Sequence, residues 1–134
     1  MRPMWRAVLL WICLPGVVAA QDALNAAEFD ALTLGKTYYY NSGGQPYGAE
    51  EYLPNRKVRW SFLDGQCMDG HWWQEGEFIC FAYDERPDDH HCWTFRMKPG
   101  GLAARFENDP NGRELYEVEQ TDKPMMCLGP KIGV

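Results

Sequence analysis

Residues Arg56 to Met97 read RKVRWSFLDGQCMDGHWWQEGEFICFAYDERPDDHHCWTFRM, and their alternation decides the fold. Apolar and polar residues take turns along short runs, the period-2 signature of half-buried strands. Turn signals break the runs at Asp64-Gly65 and at Gln74-Glu75-Gly76. Val58, Trp60 and Phe62 share one face of the first run, and Met68, Gly70 and Trp72 one face of the second. Ile79, Phe81 and Tyr83 do the same in the third, and Trp93, Phe95 and Met97 in the fourth. These faces are expected to line a core. The stretch reads as four antiparallel strands of a meander, and it holds three of the five cysteines that brace it.

Working outward, Thr37 to Tyr40 and Glu50 to Leu53 add two short strands around an Asn41–Gly48 loop. Asp84 to His91 reads as a charged loop containing Pro87. Beyond Met97, Lys98-Pro99-Gly100-Gly101 leads into a strand from Leu102 to Glu107, with Leu102, Ala104 and Phe106 inward. A last strand, Glu114 to Glu119, is expected to turn Tyr116 and Val118 inward. The predicted fold is mainly β: an antiparallel up-and-down meander of about eight short strands forming a small barrel or a curled sheet. Upstream, Asp22 to Leu34 has helical character. Asn25 and Glu28 form a capping-box pattern, Leu24, Ala27 and Ala31 share a face that Phe29 and Leu32 widen, and Gly35 suits its end. This one N-terminal helix is expected to pack against the sheet as a lid or side brace.

The first twenty residues read as a cleaved signal peptide. Arg2 and Arg6 form a basic start, Ala7 to Val18 is apolar, and Val18-Ala19-Ala20 offers small residues before a cut after Ala20. The domain is then 21–134, with a helix in 21–35, the meander in 36–119 and an irregular tail in 120–134. Cys13 leaves with the leader, so Cys67, Cys80, Cys92 and Cys127 remain, an even set that reads as two disulfides in an exported chain. Removing Arg2 and Arg6 from 13 Lys+Arg leaves 11 against 19 Asp+Glu, a net charge of −8. That balance disfavours nucleic acid or an anionic membrane surface as partner. The expected location is the periplasm or the exterior, with no membrane insertion after cleavage and a monomeric state.

By parity, Cys80 and Cys92 both point away from the core on neighbouring strands. Cys80–Cys92 is then feasible and leaves Cys67–Cys127 to tie down the tail, while Cys67–Cys80 with Cys92–Cys127 is the competing arrangement. Trp73 and Phe78 also fall on the outer parity, with His71 beside Trp73. Either the helix covers these rings, or they form a patch for a partner or ligand.

Three chemistries have candidate residues in this sequence. Asp88-Asp89-His90-His91-Cys92, with Met125-Met126-Cys127, offers Zn or Cu ligand types, His90 and His91 foremost. Adjacent histidines lack the spacing that usual sites show. The carboxylate doublets Glu50-Glu51, Asp84-Glu85 and Asp88-Asp89 do not read as an acid–base pair across a cleft. Only Ser42 and Ser61 offer a serine hydroxyl, without a Gly-x-Ser-x-Gly turn. The reading these residues favour is a non-enzymatic binding or interaction module for a protein partner or a small apolar ligand, with no cofactor. A periplasmic Cu/Zn-binding protein and a small hydrolase are the alternatives.

The pattern Gly70-x-Trp72, Gly76, Ile79-Cys80-Phe81-x-Tyr83 and Cys92-Trp93, preceded by Arg59-Trp60-x-Phe62 and Asp64-Gly65-x-Cys67, resembles a family of small exported bacterial proteins of unknown function. That resemblance covers most of the chain after the leader. It implies a periplasmic β-rich domain and carries no activity. Gly70-x-Trp72 is also similar to the Gly-x-Trp of lipocalins, where the motif lies on the first strand rather than in mid-chain.

Overall fold

The computed structural model describes residues 1, 3, 10–16, 22–107, 109 and 111–128. The leader's Arg2 and Arg6, the cut after Ala20 and the end of the tail lie outside the described residues. The rest forms one helix, α1 (Ala26–Thr33), and eight strands: β1 (Thr37–Ser42), β2 (Gln45–Tyr52), β3 (Lys57–Ser61), β4 (Met68–Glu75), β5 (Phe78–Tyr83), β6 (Arg86–Lys98), β7 (Gly101–Phe106) and β8 (Glu114–Thr121). Each strand pairs antiparallel with the next, and β8 pairs back onto β1, so the meander is a closed barrel. Closure removes the unpaired strand edges that invite aggregation.

Alternation sets the lumen. Val58, Trp60, Trp72, Ile79, Phe81, Phe95, Leu102 and Ala104 are buried in one continuous core, as the sequence pattern requires. Phe62 and Met97 share that parity but sit at strand ends, on the rim, and remain exposed. On β8 the expected parity is reversed. Tyr116 is 43% and Val118 58% exposed, while Leu115 is buried. Two apolar residues on one face outvote a single leucine in the pattern, but the register pairs Glu117 with Tyr40 and so turns Leu115 and Glu117 inward. Glu117 then accepts a 2.8 Å hydrogen bond from the Leu102 backbone N–H, standing in for a ladder bond.

Two expected loops are strand. Asn41–Gly48 contracts to a turn at Gly43-Gly44, with β2 starting at Gln45. Asp84–His91 contracts to the two-residue turn Asp84-Glu85. The register jumps between Phe81↔His91 and Tyr83↔Arg86, so Pro87, Asp88, Asp89 and His90 stand opposite Ala82 alone. This is a wide bulge, where a proline without an N–H and a run of charges are both tolerated.

The helix is not a side brace on the sheet. It crosses one end of the barrel. Asn25 caps it, accepting from the Glu28 N–H at 2.9 Å, and Glu28 accepts in return from the Asn25 N–H at 3.1 Å. Within the helix the buried residues are Ala26, Phe29 and Thr33; Leu24, just before it, is half-buried against the core, and Ala27 and Ala31 are exposed. A short helix laid over a round opening inserts one residue rather than burying a stripe. Phe29 is that residue: it is 0% exposed and its ring meets Phe95, Trp72, Tyr52 and Phe81 at 4.5, 5.1, 5.4 and 6.5 Å. The Ala26 N–H donating to Gln74 Oε1 and the Tyr38 hydroxyl donating to the Leu32 carbonyl tie both ends of the helix down.

Two disulfides are formed, Cys80–Cys92 across β5 and β6 and Cys67–Cys127 between the β3–β4 loop and the tail. They suggest an oxidising, extracytoplasmic environment. The tail runs over the outside of β1 and β2: Thr37 Oγ1 donates to the Lys123 carbonyl, and the Met125 N–H donates to Glu51. Among the described residues no helix is long and apolar enough to cross a membrane.

Phe29→Ala should therefore destabilise the barrel by about 3–5 kcal/mol, the cost of emptying a fully packed aromatic site. Urea unfolding followed by tryptophan fluorescence reads this directly. A loss under about 1 kcal/mol, the usual range for surface substitutions or smaller, would mean that the ring does not stopper the barrel.

Candidate functional site

The end opposite α1 is open. Here the barrel keeps an internal cavity of about 370 Å³. Two glycines make room for its walls. A Cβ at Gly48 would overlap the Trp60 indole, and one at Gly70 would overlap the Ala82 carbonyl and the Tyr83 ring. Trp60 and Tyr83 can therefore lie flat against neighbouring strands instead of filling the centre. Tyr40, Tyr52, Phe81 and Phe95 line the deeper part, and Tyr47, Phe62, Met68 and Trp93 belong to the same lining.

Set into this apolar wall is a carboxyl group. Glu50 projects inward from β2 and is 2% exposed. Tyr83, three strands away on β5, donates its hydroxyl to Glu50 Oε1 at 3.0 Å, so this bond reaches across the lumen. The Tyr40 and Tyr52 hydroxyls share a second bond of 2.9 Å. Burial pushes the Glu50 carboxyl well above its ordinary pKa, and the Tyr83 hydroxyl offsets only part of that. Burial likewise pushes Tyr40, Tyr52 and Tyr83 well above the usual phenol range, with the charge of Glu50 acting in the same direction. Burial thus favours the neutral form of this acid and of the phenols around it. Such an arrangement orients a guest by a few polar contacts inside an apolar volume.

The rim is mixed in charge. Glu85, Arg86, Asp89 and His91 all contribute to it. His91 Nε2 lies 3.5 Å from Asp89 Oδ2, and its ring stacks on Phe106 at 6.1 Å. Arg113 lies over the Tyr47 ring and donates to its hydroxyl.

The residues singled out from the sequence fall mostly elsewhere. His71 and Trp73 share the outer face of β4, 5.3 Å apart, and His90 meets Trp73 edge-on at 4.9 Å. Trp73 stands directly opposite Cys80, beside the Cys80–Cys92 bridge. Phe78 is half-buried at the far end of β5, opposite Glu75. His90 and His91 are not brought together as ligands. One packs on the outer face against Trp73, and the other lines the rim of the cavity. Glu75 lies near both Cys80 and Cys92, but their thiols are already joined to each other.

Sequence reasoning placed Tyr83 on the inner face but missed that Glu50, Tyr40 and Tyr52 join it in the lumen. A signal was present. Neighbouring residues of a strand point to opposite faces, so a Glu50-Glu51 doublet inside a barrel strand must send one carboxylate into the lumen. Glu51 is the outward one, held by the tail. No protein-family model matches the chain, and no match was found among curated proteins or solved structures.

Glu50 should leave a mark on stability. With its folded-state pKa raised above the ordinary 4.5, the folded protein keeps a proton that the unfolded chain releases. This contribution is complete below the unfolded value and is lost as pH rises through the raised one. Glu50→Gln removes the titration. The melting temperature of the variant should therefore gain on that of the wild type as pH climbs from the carboxylate range through neutrality. Parallel pH curves for the two proteins would mean that Glu50 ionises at no cost.

Proposed function

We propose that this protein is a non-enzymatic exported binding module whose barrel takes one small, largely apolar molecule through its open end. The observation that carries this reading is the cavity of about 370 Å³, walled by aromatic rings and closed at its far end by Phe29. Eight-stranded barrels are of the size at which the interior holds side chains or a single small ligand. Here glycines at 48 and 70 favour the second outcome. The volume is at the low end for ligand pockets, which points to a compact guest rather than a long chain.

Export belongs to the same reading. It is supported by the leader pattern ending at Ala20 and by the bridging of all four remaining cysteines. A periplasmic or secreted carrier would meet its guest in water and shelter it in the lumen.

The test is a titration of the oxidised protein with N-phenyl-1-naphthylamine, an uncharged apolar dye at neutral pH. Saturable one-to-one binding is expected, with a Kd of about micromolar or tighter. Ala104→Phe places a ring in the lumen and should abolish the signal, whereas Trp73→Ala, on the outer face, should leave it. A folded wild-type protein that shows no saturable dye binding would sink this reading. Binding lost in Trp73→Ala but kept in Ala104→Phe would move the site to the outside of the barrel.

A further inference from the structure

The acid in the lumen asks for an explanation that packing does not supply. Among the described residues no Lys, Arg or His forms an ion pair with Glu50. Its polar partner is the Tyr83 hydroxyl, 3.0 Å from Oε1 and 3.4 Å from Oε2. A neutral amide of the same shape would accept that hydrogen bond equally well and would avoid the cost of an ionisable group in an apolar site. A buried carboxyl facing a cavity without a countercharge is what a site for a positively charged guest looks like when empty.

Three classes of polar head can be compared on this geometry. A carboxylate or phosphate would have at most the Glu50 proton to accept and would meet the negative faces of the surrounding rings. A neutral hydroxyl would gain one hydrogen bond. An ammonium would gain the ion pair, a charge-assisted hydrogen bond and the negative ring faces of Tyr40, Tyr52, Trp60 and Phe81, which line the same cavity. The buried setting of Glu50 makes each of these electrostatic terms larger than at a surface.

We propose that the barrel selects a small organic cation, an amine carried on a compact apolar body, with the ammonium seated at Glu50 and the body held by the lumen rings. This rests on the reading of the cavity as a ligand site and names the class of ligand it takes. On binding, the protonated amine enters with its charge and Glu50 releases its proton to the buffer. The groups facing Glu50 do not compete for that role: Tyr38 and Tyr40 from β1, Tyr52 from β2 and Tyr83 from β5 all have pKa values raised by burial and stay neutral phenols. Glu85, Arg86, Asp89 and His91 stand at the rim.

The experiment compares three probes of one shape, 4-phenylbutylamine, 4-phenylbutan-1-ol and 4-phenylbutyrate, by calorimetry on the oxidised wild-type protein at a series of pH values from the ordinary carboxylate range upward, the proton count being read at the acid end where Glu50 is protonated. The amine should bind roughly tenfold or more tighter than the alcohol, the scale of one hydrogen bond to a charged group, and the butyrate weakest. Repeating the titration in buffers of different ionisation enthalpy should show about one proton released per amine bound, as linkage requires, and none for the alcohol. In Glu50→Gln the preference for amine over alcohol should collapse. If amine and alcohol bind alike, if butyrate binds best, or if no proton is released, the amine assignment is overturned. If the naphthylamine dye still binds in that case, the apolar-ligand reading survives alone. If neither the dye nor any of the three probes binds, both fall together. The proton count is taken on wild-type protein, so it decides the matter even if the variant folds poorly.

Discussion

Pairing of β8 with β1 is the constraint on which everything else rests. Once eight strands close, the width of the interior is set, and every inward side chain competes for the same narrow space. The two ends resolve that competition differently. At one end α1 drives Phe29 between Tyr52, Trp72 and Phe95, and the lumen is solid. At the other, Gly48 and Gly70 let Trp60 and Tyr83 lie against the wall, and the lumen stays hollow. The cavity is thus a consequence of where side chains are missing, within a barrel whose radius is not free to change.

Much of this was legible in the sequence for a simple reason. From Val58 to Phe81 the two faces of each strand differ sharply in chemistry, so alternation assigns the core without knowledge of the partner strand. The same parity puts Cys80 and Cys92 outside, and the register indeed sets them opposite one another. The helix was legible in its start, through Asn25 and Glu28, but not in its buried face, because end-on insertion of one ring leaves no periodic stripe to read. β8 misled because Glu117 occupies an inward position that apolar counting assigns outward. The early part of β6 misled because a bulge hides strand character under Pro87 and a run of charges.

The candidate site was the least legible part, and the cause is energetic. Pattern reading assigns carboxylates to solvent because a buried anion is so unfavourable. At Glu50 burial favours the protonated form, and the carboxyl accepts a hydrogen bond from Tyr83. A neutral acid with a hydrogen bond costs far less to bury than a carboxylate, so the barrel tolerates it. The penalty then appears only when the proton leaves, and a countercharge entering the lumen is what removes it. Selectivity of this kind is stored in the protonation state of one residue rather than in the shape of the rim.

The disulfides bear on the same division between a solid end and a hollow end. Packing of Phe29 holds the closed end, and nothing comparable fills the open one. Of the two bridges, Cys67–Cys127 lies at the open end and Cys80–Cys92 at mid-barrel. Cys92 lies between His91 and Trp93, two residues that line the cavity, and it follows directly on the bulge at Pro87–His90. Cys67 precedes Met68, another lining residue, and its bridge fastens the β3–β4 loop to the tail. Each crosslink limits the chain's freedom beside residues that line the cavity. In a small barrel with an unfilled lumen, covalent bracing of the wall and of the tail substitutes for the core packing that the cavity displaces.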